Sequence, residues 1–287
     1  MRRCSLLKRA PNQAPFSRFG WVVLGLLFYA PALFAAQECA PRSIDAWAEV
    51  VYVYDGDTVK LKNGRKIRLI GINAPEIAHG ERQREEPGGQ QARQALIRLL
   101  ETHSRVALQY GKERYDRYGR TLAHLFLDGR INLQQRLLEQ GLAAAVAFPP
   151  NLTLQPCYQG AAERARQRGL GVWRQARYRG LPVDELPEDA AGFYAIKGRV
   201  ESITETPYSI KLRLAPRAIV EIPRQSLPYF QENGIEPTQL KARELLARGW
   251  LTRKKGRWLM RVHYPSAIEL MPNRIDRVTK SVDNNRP

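Results

Sequence analysis

Along the first half of the chain, apolar and polar positions switch between a period of two and a period of about 3.6, and each switch predicts an element. Residues 47–54 read as a strand. The following stretch, 55–76, is D-G-D-T-V-K-L-K-N-G-R-K-I-R-L-I-G-I-N-A-P-E. It holds two short alternating runs around Asn63-Gly64, a pair that favours a tight hairpin because both residues tolerate positive φ. A polar segment, H-G-E-R-Q-R-E-E-P-G-G, follows as a loop. Within 90–103, Ala92, Ala95, Leu96, Leu99 and Leu100 form one helical face suited to covering the open side of a small sheet. Residues 105–110 predict a strand, and 115–127 a turn and then a strand that presents Arg120 at its edge. Residues 131–140 predict a second helix closed by Gly141, and 157–168 a third stopped by Gly169.

Residues 180–191 contain L-P-V-D-E-L-P-E-D-A and read as a linker. Beyond them the pattern predicts strands at 194–203, 210–214 and 218–222, a helix near 240–248, and strands at 250–253 and 258–263. Leu212 and Leu214 alternate with Lys211 and Arg213, as in a half-buried strand, and Lys255-Gly256 turns the last hairpin. Three strands, a helix and a hairpin resemble the order of an OB-fold. The chain thus divides into a signal peptide at 1–36, a linker at 37–46, a first domain at 47–178, a linker at 179–191, a second domain at 192–272 and a polar, basic tail at 273–287 expected to be disordered.

With an ideal two-residue loop in the first hairpin, Lys62 faces Arg65, Val59 faces Arg68 and Asp57 faces Ile70. Asp57 and Arg68 then share a face as diagonal neighbours about 7–8 Å apart. A carboxylate and a guanidinium that do not quite touch leave room for a metal-bound phosphate, the one holding the cation and the other forking onto oxygens. A surface ion pair is the alternative.

Charge and cysteines narrow the setting. The formal net charge is +18; five basic residues precede Glu38, the first acid, so +13 remains from residue 37 onward. Such a field attracts polyanions, either nucleic acid or an anionic membrane. A basic start, an apolar 19–34 and Ala35-Ala36 read as an export signal cleaved after either alanine, with an uncleaved anchor as the alternative. The expected location is periplasmic or secreted, with no stable membrane association after cleavage, and the expected state is monomeric. Cys4 leaves with the signal; Cys39 and Cys157 remain, either as one disulfide or as two separate buried thiols. The four histidines are scattered, and no Cys/His spacing suits a zinc site.

The order D-G-D-T, R-L-I-G-I-N-A-P-E, D-R-Y-G-R, Q-G-L-A and a last helix ending in G-V-W resembles the staphylococcal nuclease (thermonuclease) family over 47–173. The resemblance implies a mainly β, α+β fold: a five-stranded OB-like barrel capped by three helices, here followed by the second, smaller OB-like domain. It also implies a Ca2+-dependent phosphodiesterase, an endonuclease that cuts DNA and/or RNA to leave 3′-phosphate ends. At matching positions it makes Glu76 the general base, Arg68 and Arg120 the phosphate-binding arginines, Asp57 a calcium ligand supported by Asp55 and Thr58, and Ala74 a backbone-carbonyl ligand. Asn73 departs from the pattern, standing where the family has a second ligand carboxylate, so calcium binding is expected to be weaker.

Glu81, Glu85 and Glu86 either supply the missing charge or form a solvated loop. Arg117 and Tyr118, beside Arg120, are candidate substrate contacts. Phe148 lies near where the family offers tyrosines to the base, and reads either as a stacking ring or as core. Trp250 and Trp258, interleaved with Arg253, Lys254, Lys255, Arg257 and Arg261, read either as a single-strand-binding face or as core beneath solvated charges. The rival function is a catalytically weak or inactive nucleic-acid-binding protein on the same fold.

Overall fold

Val53, Val59, Leu61, Ile67, Leu69, Val106, Leu108 and Leu125 point to one side of their strands and are buried, and that shared apolar side curls the first sheet closed. The computed structural model describes residues 39–78, 85–101, 105–214 and 217–272; the signal segment 1–36, Glu81 and the 273–287 tail lie outside them. Strands β1 (Ala46–Asp55), β2 (Thr58–Leu61) and β3 (Lys66–Leu69) form a meander. Helix α1 (Gly89–Glu101) leads to β4 (Arg105–Tyr115) and β5 (Thr121–Leu127). β4 pairs with β1 and β5, and a parallel β3–β5 pairing closes a five-stranded ring. Helices α2 (Leu133–Glu139) and α3 (Gln155–Gln167) complete the cap, with Leu96, Leu137 and Tyr158 packed into the core.

The second half repeats the same topology. Strands β6 (Gly192–Glu205), β7 (Ser209–Leu214) and β8 (Ala218–Pro223) are followed by the short helix α4 (Leu227–Glu232), then β9 (Glu244–Lys254) and β10 (Arg257–Arg261). β9 pairs with β6 and β10, and β8–β10 is the parallel closure. Closing both rings leaves each barrel with few open strand edges.

Several expectations shift. The first hairpin does not turn on two residues. Gly64 N–H bonds Leu61 O and Leu61 N–H bonds Arg65 O, each at 2.9 Å, so the loop is Lys62-Asn63-Gly64. Only Gly64 takes positive φ (+86°), whereas the expected turn needs it at both central residues. The pairing moves by one, to Thr58 opposite Arg68 and Val59 opposite Ile67. The second helix starts later, because Ile131–Asn132 pairs with β5 and Asn132 caps α2 through Gln135 N–H.

The helix expected near 240–248 is largely β9: Leu245, Leu246 and Ala247 are buried between β6 and the strand Ile268–Leu270, and that pairing overrides their helical propensity. Nor are the linkers loose. Val183, Leu186 and Ala190 sit in the second core, and Cys39 is buried and disulfide-bonded to Cys157 (Cα–Cα 5.6 Å). Phe193, from β6, belongs to the first barrel's core, so the barrels share a wall. Among the described residues no helix is long and apolar enough to cross a membrane.

Candidate active site

The turn between β1 and β2 is built to hold carboxylates. A side chain on Gly56 would meet the methyls of Ala74 and Ala92 at 2.6 Å, so the backbone can make this close approach only as glycine. Asp55 Oδ1 accepts the Asp57 N–H at 2.9 Å and so bends the chain back. Asp57 is 2 % exposed; its Oδ2 accepts the Ala74 N–H at 2.8 Å, and its Oδ1 accepts the Thr58 hydroxyl at 3.1 Å. Asn73, also buried, pairs through its backbone with Ala144.

The expected gap between Asp57 and Arg68 is closed. Arg68 Nη1 lies 2.9 Å from Asp57 Oδ2 and also donates to the carbonyls of Ile72 (3.0 Å) and Leu69 (3.1 Å). Among the described residues Nε and Nη2 make no hydrogen bond, which leaves an edge of the guanidinium for an anion. Arg120 comes from the turn before β5. Its Nε is held by Asp116 Oδ2 at 2.7 Å, while Nη1 reaches Thr58 Oγ1 at 3.5 Å, the limit of a hydrogen bond. Burial alone would raise Asp116, but hydrogen bonds from the Arg120 side chain and from the N–H groups of Arg120 and Tyr118 hold its carboxyl below the usual range. Arg117 donates to the Tyr118 hydroxyl at 2.6 Å, and the Tyr118 ring, 68 % exposed, lies 5.5 Å from the Arg120 guanidinium.

Glu76 reaches solvent, yet its carboxyl is held above the usual range, first by desolvation and then by the charge of Asp57; Arg68 and Arg120 pull the other way. Burial pushes Asp57 up to about 7 despite Arg68, with Asp55 adding to the rise. A buried carboxylate so incompletely compensated is the chemistry a hard cation satisfies, and the neighbouring Asp55, Asn73 and Ala74 all carry oxygen donors. No group of three or more His, Cys, Asp or Glu side chains that could hold a metal ion gathers among the described residues.

Residues 66–175 match the family described as Staphylococcal nuclease homologue. The thermonuclease of Staphylococcus hyicus is 34% identical over 128 residues, covering 44% of this chain and 74% of the relative. That of Staphylococcus intermedius is 35% identical over 127 residues (43% and 73%), and the micrococcal nuclease of Shigella flexneri 32% over 146 residues (46% and 78%). The chain belongs to the staphylococcal nuclease family.

The second barrel lies beyond the residues that match the staphylococcal nuclease family. The base-stacking reading fails for Trp258, whereas Trp250 is half-buried. Trp258 is 1 % exposed inside the barrel, and Trp250 packs against Phe193 (5.2 Å between ring centroids) and Phe148 (5.6 Å). Phe148, though 45 % exposed, is turned to the second barrel, where His263 also meets it at 5.6 Å. Alternating position placed both tryptophans on strands, but only the tertiary fold determines that Trp258 is covered on both sides.

A pair that sequence reasoning missed lies beside Glu76. Glu86 Oε2 accepts the Glu76 N–H at 3.2 Å, and its Oε1 meets Arg177 Nη2 at 2.8 Å. Arg177 in turn donates to Phe193 O at 2.8 Å and lies over the Tyr194 ring at 4.4 Å. Glu86 is therefore not a free loop acid; it ties the segment carrying Glu76 to the second barrel.

Proposed function

We propose that the protein is an exported nuclease that hydrolyses phosphodiester bonds of DNA and/or RNA with a divalent cation, calcium first, and leaves 3′-phosphate ends. Nuclease is the coarser part of this reading and follows from the family. The observation that carries the catalytic part is the grouping of Arg68, paired with Asp57, and Arg120, reaching Thr58 next to it, with Glu76, whose carboxyl feels the charges of Asp57, Arg68 and Arg120. Arg68 and Arg120 grip the scissile phosphate and stabilise charge that develops on its oxygens. Their supports, Asp57 and Asp116, fix each guanidinium before substrate arrives. Glu76 takes a proton from the attacking water, and its raised pKa brings it nearer the range in which a base works well at neutral pH. The bond from phosphorus to the 5′ oxygen breaks, so the phosphate stays on the 3′ side.

Asp57, the Asn73 amide and the Ala74 carbonyl would hold the cation, with Asp55 and Thr58 orienting Asp57. When bound it supplies positive charge at the phosphoryl oxygens. Export is supported by the signal-like N-terminus and by a disulfide, which persists in oxidising compartments. Since Trp258 is buried and Arg177 links Glu86, beside Glu76, to Phe193 of the second barrel, that barrel is proposed to brace the site rather than to stack bases. Asn73 in place of a carboxylate favours the second reading, a weak or inactive binder.

Cleavage of a labelled oligonucleotide with calcium, manganese, magnesium or chelator separates the two. Cutting with calcium that is abolished by chelator and by Glu76→Gln is expected. No cutting with any of the three metals would establish the binder. Fractionation of expressing cells tests export.

A further inference from the structure

The outer face of the β1–β2–β3 sheet carries residues that the cleavage chemistry does not use. Lys60 stands opposite Lys66 and Thr58 opposite Arg68, while Val59 and Ile67 between them are fully buried in the core. Alternation therefore puts Lys60, Lys66 and Arg68 on one outward face. Tyr52 stands opposite Lys60, and Tyr54, two residues on, shares its side. The two rings meet edge to face at 4.9 Å, and Tyr52 is 46 % exposed. Lys66 Nζ lies 4.8 Å from the centre of the Tyr54 ring. Arg93, whose Nε is held by Val53 O at 2.9 Å, lies 5.7 Å from the Tyr52 ring.

These six residues form a row that begins at the active-site arginine. Lys66 follows Arg68 by about 6.6 Å along β3, and the tyrosine pair comes next, flanked by Lys60 and Arg93. The face is cationic: neither Lys60 nor Lys66 has an ion pair among the described residues, Asp55 and Asp57 are buried, and Glu49 is paired with Lys62 at 2.8 Å. Arg117 and Tyr118 stand on the other side of β3, in the turn before β5, so the row leaves the site in a different direction from theirs.

We propose that this face is a track for a single strand of nucleic acid running away from the scissile phosphate, with Tyr54 and Tyr52 stacking unpaired bases and Lys66 and Lys60 meeting the following phosphates. Aromatic rings interleaved with cations are the chemistry of single-strand grooves, and stacking on a ring requires a base freed from a duplex. The track rests on the nuclease reading, because Arg68 sets where it starts.

The test compares kcat/KM on a long single-stranded oligonucleotide and on a dinucleotide with the same scissile bond. For the full chain carrying Tyr52→Ala and Tyr54→Ala, a loss of about tenfold or more is expected on the long substrate and none on the dinucleotide. Tyr52→Phe with Tyr54→Phe should keep the long-substrate value, and Lys66→Gln should flatten its salt dependence. An unchanged long-substrate value, or an equal loss on both substrates, overturns the track. If the double alanine variant does not fold, Tyr52→Ala alone carries the comparison. If the unaltered protein cuts neither substrate, the nuclease reading has failed and the track is judged by fluorescence anisotropy of the labelled strand. There, about tenfold weaker binding by the alanine variant supports it, and equal binding overturns it.

Discussion

Asp57 Oδ2 serves Arg68 and the Ala74 N–H at once, so the carboxylate expected to face a cation is already shared. With Asp55 Oδ1 taken by the Asp57 N–H and an amide at Asn73, Asp57 supplies the charge where a second carboxylate ligand would bind more tightly. Asn73→Asp should therefore raise metal affinity by about tenfold, equivalent to ~1.4 kcal/mol, read by calorimetric titration. An unchanged affinity would show that position 73 does not contribute to the cation. Elsewhere in the barrel, His124 is 2 % exposed, its Nδ1 is 2.8 Å from the Tyr158 hydroxyl, and burial pushes its pKa down to about 3. The unfolded chain takes up this proton near pH 6.5 and the folded chain does not, so stability is complete above that pH. It is lost as pH falls from about 6.5 toward 3, by up to ~1.4 kcal/mol per unit. Urea midpoints across this window should fall less steeply for His124→Gln; parallel curves would refute the assignment. Asp57, Arg68, Glu76 and Arg120 were legible because short motifs carry them at fixed spacing. Glu86 and Arg177 were not: they lie 91 residues apart, and only folding makes them a pair.

At the scale of elements, the strands of both barrels were readable where one face is buried and the other wet, as in β7, where Leu212 and Leu214 are buried and Lys211 and Arg213 are not. The pattern gave out where both faces are covered or a turn adds a residue. Leu245-Leu246-Ala247 has the composition of a helix and lies in β9 because neighbours on both sides supply its hydrogen bonds. The extra turn residue in the first hairpin moved every pair by one, yet Asp57 and Arg68 still met, because the Gly56 turn brings Asp57 back over β3. The disulfide acts at the same scale. It fastens the segment before β1 to α3, 118 residues away, and Asn132 Nδ2, from the residue capping α2, also donates to Cys39 O at 3.1 Å. Closing so long a loop restricts the unfolded chain, so Cys39→Ser with Cys157→Ser should cost about 2–5 kcal/mol in denaturant unfolding while leaving kcat close to its starting value. A cost below about 0.5 kcal/mol would mean that the hydrogen bonds hold this segment without it.

For the whole molecule the decisive feature is that the second barrel completes the first. Phe193 starts the second barrel's first strand but is buried, 2 % exposed, in the first barrel's core, with its ring 5.6 Å from Tyr178 and 5.2 Å from Trp250. Its carbonyl receives Arg177, which also pairs with Glu86 beside Glu76. Two barrels joined only by a flexible linker would unfold separately; two that share a buried ring and an ion pair should unfold as one. Calorimetry of the full chain is therefore expected to show a single transition. Phe193→Ala should destabilise that transition by about 3–5 kcal/mol, the usual cost of removing a buried phenyl ring, rather than splitting off the second barrel alone. The same variant should lower kcat more than it raises KM, because it loosens Arg177 and through Glu86 the backbone that aims Glu76. Two resolved transitions in the unaltered chain, or full kcat in Phe193→Ala, would show that the barrels are independent and that Glu76 is positioned by the first barrel alone.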